Sequence, residues 1–527
     1  MSHDLVIVNA NIRTLDPALP HARALVSRAG EIIFVGDDAG ARDVSQGAEV
    51  VDLQGRLVVP GLTDAHLHFC SWAQSLERIN LEGCHSLGQA LERVAARAAG
   101  AQPGALLMGE GWNHLDWEEP FFPDKRSLDT VAPANPVVLT RKDGHSVWVN
   151  TAALEACGIT RDTPDPAGGR IEREPDGEPS GIIRENAIEM LGKGIGESAD
   201  EIPLDLLQRA IAGANRAGLT GVHSIEGANA LRAWQNLRAR GKLTLRVVHG
   251  IPAESLHHAL AIGLQRGFGD EWLRLQGVKI FADGSLGSMT AEMQRPFLGS
   301  DSRGMAVTDS EQMLSLARAA AAGGLDVWTH AIGDAAISRT LTVYETLRRE
   351  GYSDTILRIE HVQHLSASDL GRFNPANVIA SMQPIHQPSD MKMADDLLGP
   401  DRARYTYAFN SLRQAGATLA FGSDCPVERL EPLRGIHAAV TRQNAQGEPA
   451  SGWFPEERLT VEQAVEGFTI GAAAAAGESN RAGTLSVGKW ADAVVLSGDI
   501  FSIPAGEILN TQVDYTIVGG EIVYCRE

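Results

Sequence analysis

The chain has 527 residues, with 46 Lys and Arg against 67 Asp and Glu, a net charge of −21, and 43% apolar residues. This is the composition of a globular protein with a large core, and its deficit of positive charge speaks against nucleic-acid or anionic-membrane partners, which require a basic face. Five scattered cysteines, Cys70, Cys84, Cys157, Cys425 and Cys525, form no CxxC pair, so neither a disulfide framework nor a thiolate zinc site is indicated, and a metal would need His and carboxylate ligands.

The opening MSHDLVIVNANIRTLDP lacks the basic region, long apolar stretch and cleavage site of a signal peptide, and no apolar run approaches ~18 residues, so a cytoplasmic protein is expected. From Leu5 to about Pro60 the chain reads as short strands, LVIVNANIRTL, ALVSRAGEIIFVG and VVDLQGRLVVPG, broken at Gly30 and Gly55. The far end repeats the style in GTLSVGKWADAVVLSG and VDYTIVGGEIVYC. A few strands at either end cannot each bury a face alone. One small, sandwich-like β domain built from residues 1–58 and 480–527 is therefore predicted.

Between them, over residues 59–479, apolar β-type runs alternate with Ala- and Leu-rich helical stretches, the pattern of parallel α/β folds. The runs are RLVVPGLTDAHLH, GLTGVHSIEG, LTLRVVHG, LQGVKIFADG, LDVWTHAIGD, LRIEHVQH, VIASMQPIH and ATLAFGSDCP. Eight such units imply a (β/α)8 TIM barrel with its active site at the C-terminal strand ends. Residues from about 81 to 216, between the first two runs, exceed one helix and its loops and form an insertion. Its aromatic and turn-rich content suits a lid or substrate-contacting element, or a surface excursion.

The first run ends in Asp64-Ala65-His66-Leu67-His68. Residues i and i+2 share a strand face, so His66 and His68 can grip one metal ion. Further strand ends supply His330 in VWTHAIGD, His361 in RIEHVQ and Asp424 in FGSDCP, giving five candidate ligands at one rim. Lys279, in GVKIFADG, ends the fourth run. Buried near cations, a lysine loses its proton, and the neutral amine can take up carbon dioxide as a carbamate that bridges two metals.

PGLTDAHLH, THAIGD, IEHVQ and FGSDCP, in this order, resemble the amidohydrolase superfamily. VKIFADGSLGS, RKDGHSVWVN and GGRIEREPDGEPSGIIRE are more closely similar to its third amidohydrolase family, the YtcJ-like group that includes N-substituted formamide deformylase. The resemblance covers nearly the whole chain. It implies His66 and His68 on one metal, His330 and His361 on the other, Lys279 as a carbamate bridge, and Asp424 as ligand and proton carrier. It also implies a homodimer, and places His145, in DGHSV, at the substrate, with a loop-anchoring role as the alternative.

His223, His249 and His386 follow predicted strands and can line the pocket, although one or two are expected to be structural. Trp112, Trp117, Phe121 and Phe122 can form an apolar wall for substrate or the core of the insertion. Cys425 has no visible base partner and is not read as a nucleophile. The expected protein is a hydrolase cleaving an amide-type C–N bond of a small organic molecule with one or two Zn²⁺, two favoured, to activate water. Cyclic-amide or ester hydrolysis on the same site, and a barrel kept only as a binding or scaffold protein, are the alternatives.

Overall fold

Strands covered on both faces read as continuous apolar runs, and eight such runs make the centre of this protein. The structure, a computed structural model, describes residues 4–45, 49–142, 146–166, 168–192 and 202–527. Strands β1 (Leu62–Leu67), β2 (Leu219–Ile225), β3 (Arg246–Pro252), β4 (Leu273–Phe281), β5 (Asp326–Ala331), β6 (Leu357–His361), β7 (Val378–Met382) and β8 (Thr418–Phe421) follow one another in spatial as in chain order. All neighbours along this path are parallel. The ring closes where Asp424 N–H donates to the His66 carbonyl at 2.7 Å and His68 N–H to the Cys425 carbonyl at 2.8 Å. This is an α/β TIM barrel.

Helices cover the outside. In Asp334–Arg349 the residues Ala336, Ile337, Thr340, Leu341, Tyr344 and Leu347 are buried, an apolar stripe at helical spacing. The buried Tyr344 hydroxyl lies 2.7 Å from Thr329 Oγ1 and donates to the Arg358 carbonyl at 2.8 Å. Among the described residues no helix is long and apolar enough to cross a membrane.

Two further sheets contain strands from the ends of the chain. One runs Glu31–Gly36, Ala24–Arg28, Leu5–Val8, Glu49–Asp52; the other runs Glu521–Cys525, Val513–Val518, Ala493–Leu496, Leu57–Pro60, Asn11–Arg13, His21–Ala22. The antiparallel pairing of Leu57–Pro60 with Ala493–Leu496 joins the two ends, and Ile7, Ile12, Leu25, Val58, Val495 and Ile517 share one core. These sheets and the barrel form one compact unit, Met1–Trp72 with Leu204–Glu527. Within it, Arg246 at the start of β3 grips Asp492 with Nε at 2.6 Å and Nη2 at 3.0 Å.

The second unit is Ala73–Pro203. Its six strands, in spatial order Gly169–Arg173, Pro179–Glu185, Ser146–Val149, Val137–Arg141, Leu107–Trp112 and Ile79–Asn80, carry a core that includes Trp112, Trp117 and Trp148. Helix Leu204–Arg216, which the sequence grouped with the inserted stretch, belongs to the barrel unit. Its buried Leu206, Leu207, Ala210, Ile211 and Ala214 form the face that requires a partner.

The barrel interior holds a charge. Trp328 fills the middle, and Gly250 and Gly277 are needed there because a Cβ would lie 2.3 and 2.9 Å from its ring. The Arg358 guanidinium lies over that ring at 4.3 Å. It donates to the Ala65 carbonyl (2.6 Å), Ser381 Oγ (3.1 Å) and His223 Nδ1 (3.0 Å), and pairs with Glu360 through Nε at 2.9 Å. Arg358 and Glu360 are both fully buried. Replacing Arg358 by Ala strands the Glu360 charge, and urea denaturation should show a loss of about 3 to 5 kcal/mol. A loss no larger than that of a surface ion pair, about 1 kcal/mol, would refute this assignment.

Candidate metal centre

The site is built from the ends of the barrel strands. On β1, Asp64 and His66 share the inward face. The buried Asp64 carboxylate accepts from His66 N–H (3.0 Å), Ser423 N–H (3.1 Å) and Ser423 Oγ–H (2.6 Å), which ties β1 to the turn after β8. Gly422 permits this approach, because a Cβ there would stand 2.5 Å from His66 N and 2.6 Å from Asp64 Oδ1. His68 lies one residue beyond the strand. Its Nδ1–H donates to the Ile225 carbonyl at 2.9 Å. Glu226 holds the following helix, Phe69–Ser75, by accepting from Cys70 N–H at 2.9 Å and Ser71 N–H at 2.8 Å.

His66, His68 and Asp424 form the compact donor group, with one candidate ligand atom from each and all three within 4.8 Å of one another. Asp424 Oδ1 lies 3.5 Å from His66 Nε2 and 3.4 Å from His68 Nε2. The His361 ring is centred 4.8 Å from that of His66 and 4.5 Å from that of His330. Adjacent residues of a strand face opposite ways, yet Glu360 and His361 both reach this site. The φ of +76° at His361 ends β6 and turns its ring back. Asp424 also has a left-handed φ, +59°. Such conformations cost of order 1 to 3 kcal/mol in a non-glycine residue and concentrate at functional sites.

Each imidazole is anchored through one nitrogen. His66 Nδ1–H donates to Glu360 Oε2 at 2.6 Å, His361 Nδ1–H to Gln383 Oε1 at 2.9 Å, and His330 Nε2–H to the Gly284 carbonyl at 3.0 Å. With His68 on Ile225, four rings keep a lone pair on the other nitrogen, the arrangement that orients metal-binding histidines. Asp424 Oδ1 is buried without a hydrogen-bond donor among the described residues. Lone pairs and an orphaned carboxylate oxygen in one place are a donor set that fits a divalent cation.

The electrostatics agree with this reading. Burial pushes His66 down to about 4 and His330 to about 3, and holds His361 well below its ordinary value, so these rings are neutral and able to ligate. Burial works against ionisation of Asp424 too, but His68, His66 and His361 beside it hold the carboxyl well below its usual range. Glu360 is likewise kept ionised against burial by Arg358 and His66. Lys279, fully buried, has its amine pushed down to about 8 by desolvation, and its Nζ stands 3.2 Å from His66 Nε2.

The structure thus brings His66, His68, Lys279, His330, His361 and Asp424 to one rim. His386 joins them, its Nε2–H donating to the Ser423 carbonyl at 3.2 Å, 3.9 Å from Asp424 Oδ2. His223 lies deeper, stacked on Trp328 and accepting from Arg358. Trp112 is fully buried in the Ala73–Pro203 unit, where its Nε1–H donates to the Leu139 carbonyl. Phe121 and Phe122 are exposed there, and Trp117 is buried. His145 lies outside the described residues.

Sequence reasoning passed over Asp64, Glu226, Arg358, Glu360, Gln383 and the partly exposed Phe281, whose ring is centred 5.2 Å from that of His330. A signal existed for two of them: LRIEH places Arg and Glu at i and i+2 in an otherwise apolar strand, where charges must be paired. For Gly422→Ala we expect β8 to be forced from β1, with a cost of roughly 1 to 3 kcal/mol and loss of bound divalent metal after gel filtration. Wild-type metal content in this variant would sink the assignment.

Residues 49–524 match the sequence model of the Amidohydrolase family. The chain is 34% identical to Protein LONG AFTER FAR-RED 3 of Arabidopsis thaliana, over 99% of this chain and 91% of that one. It is 29% identical to N-substituted formamide deformylase of Arthrobacter pascens, over 99% of this chain and 98% of the enzyme. A crystal structure of an uncharacterized metal-dependent hydrolase from Pyrococcus horikoshii has the same fold at a TM-score of 0.81 and 29% identity, covering 95% of this chain and 99% of that chain. Together with the His66, His68 and Asp424 group, these likenesses make the site one for a divalent metal. The protein is a hydrolytic enzyme acting on carbon–nitrogen bonds, and the chain belongs to the amidohydrolase family.

Proposed function

We propose that the protein hydrolyses an amide-type C–N bond of a small organic molecule at the rim formed by β1, β4, β5, β6 and β8. The observation that carries this reading is the set of four histidines, each anchored through one nitrogen, with the other nitrogens of His66 and His68 turned to Asp424. His66, His68 and Asp424 would hold one Zn²⁺, and His330 and His361 a second, with carboxylated Lys279 between them. Bound there, the ions supply Lewis acidity to a carbonyl oxygen and to water.

The chain's own residues do the rest. Asp424 accepts the proton of the attacking water and returns it to the departing nitrogen, which leaves as a neutral amine while the acyl group leaves as an acid. The role needs a carboxylate that can touch the water rather than a remote base. Phe281 presents apolar surface beside His330, which suits a substrate with a hydrocarbon part. His145, Trp112, His223 and His386 are the residues we assign to the substrate side; His386 stands 3.9 Å from Asp424, and His223 is buried against Arg358.

The deciding experiment is a hydrolysis screen of N-formyl, N-acetyl and cyclic amides and aryl esters with zinc-loaded and chelated protein. Metal-dependent release of amine from an open-chain amide is expected; turnover of cyclic amides or esters alone would replace this reading with the alternative. Replacing both His66 and His68 by Ala should remove at least one metal equivalent and abolish turnover. Elemental analysis of the folded double variant checks it, and unchanged metal content counts against the ligand assignment. Asp424→Asn should keep most of its metal and lose about 10² to 10⁴ in kcat. Near-normal kcat with metal in place would mean that another base acts. Lys279→Ala should lose activity and regain part of it with small carboxylic acids, whereas a bare amine in a fully metallated, active enzyme would exclude the carbamate.

A further inference from the structure

A neutral imidazole can carry its proton on either nitrogen, and His66 turns Nδ1 to Glu360 and Nε2 to Asp424. We propose that Glu360 is a positioning residue that sets the tautomer and orientation of His66, and that Arg358 holds it in place to do so. The inference rests on the assignment of His66 as a ligand. Glu360 Oε2 lies 2.6 Å from His66 Nδ1, and all of these side chains are fully buried. A carboxylate there accepts only, so the ring proton stays on Nδ1 and the lone pair faces Asp424 and Lys279.

The carboxylate is itself held, with Oε2 accepting from both His66 and Arg358. Arg358 Nη2 donates to Oε2 at 3.2 Å, and Nε stands 2.9 Å from Oε1 as an ion pair, so the guanidinium holds the carboxylate from one side. The same Nη2 donates to the Ala65 carbonyl at 2.6 Å, directly before His66 in the chain. Arg358 therefore holds His66 twice, through the backbone that precedes it and through the carboxylate bound to its ring. Ser381 and His223 complete the guanidinium's contacts. Glu360 also immediately precedes His361, so one residue adjoins two proposed ligands by chain and by hydrogen bond.

The competing role is charge balance, in which Glu360 only neutralises the buried Arg358. The two roles separate in the variants Glu360→Gln and Arg358→Met with Glu360→Met, measured as Zn²⁺ and Co²⁺ dissociation constants and as the visible spectrum of the Co²⁺-loaded protein. Positioning predicts metal binding weakened about 10- to 100-fold in Glu360→Gln, a shifted Co²⁺ spectrum, and no recovery when both charges are removed together. Charge balance predicts that the double variant regains wild-type affinity and spectrum, which would overturn the proposal. Should neither variant fold, histidine ¹⁵N chemical shifts of the metal-free wild-type protein, assigned with His66→Gln, decide: Nδ1–H at His66 supports the proposal and Nε2–H overturns it. Should the His66 and His68 double variant keep its metal, the ligand reading itself falls. If that variant loses metal while Glu360→Gln binds normally, only the positioning role falls.

Discussion

A single buried guanidinium touches five of the eight barrel strands. Arg358 on β6 bonds to the backbone of β1, to His223 on β2 and to Ser381 on β7, lies on the face of Trp328 from β5, and pairs with Glu360 on its own strand. A buried cation must have its donors met and its charge opposed, because water cannot do either. Meeting those needs places the strands around it at set distances. It also places a carboxylate under His66, so the requirement that stabilises the barrel interior reaches directly into the site above.

The upper end of the barrel follows the same logic with smaller parts. Asp64 joins β1 to the turn after β8, Glu226 joins β2 to the helix after His68, and Asp283 joins the loop after β4 to the loop after β5 by accepting from Ile332, Gly333 and Glu292 N–H. Arg339, from the helix after β5, binds the Ala282 carbonyl and Glu292 and so holds the root of that loop. Each is a carboxylate or guanidinium saturating backbone groups that strand ends leave unpaired. Side chains on such ends inherit the rigidity of the barrel, which is what preorganised donors require.

The His-x-His pair at residues 66 and 68 was legible because a strand's two-residue period puts both rings on one side. The eight β runs were legible because each is apolar along its length and followed by polar or Gly-containing turns. His330, His361 and Asp424 were legible as residues closing those runs. Arg358 and Glu360 were visible only as a pattern without a partner: His66 stands 294 positions from Glu360. The boundary of the inserted stretch was blurred for a related reason, since helix Leu204–Arg216 shows its apolar face in the sequence but not which unit it packs against.

Local periodicity and strand-end placement by themselves determined the barrel, its rim and the residue types able to bind a metal, because these depend on neighbours a few positions apart. Only the tertiary structure decided which nitrogen of each histidine is tied down, that His361 turns back beside Glu360 through a left-handed φ, and that His223 faces Arg358 within the barrel. The physical reason is burial. Once water is excluded, every polar atom must find its partner within the protein, and that partner is chosen by the packing of strands far apart in the chain.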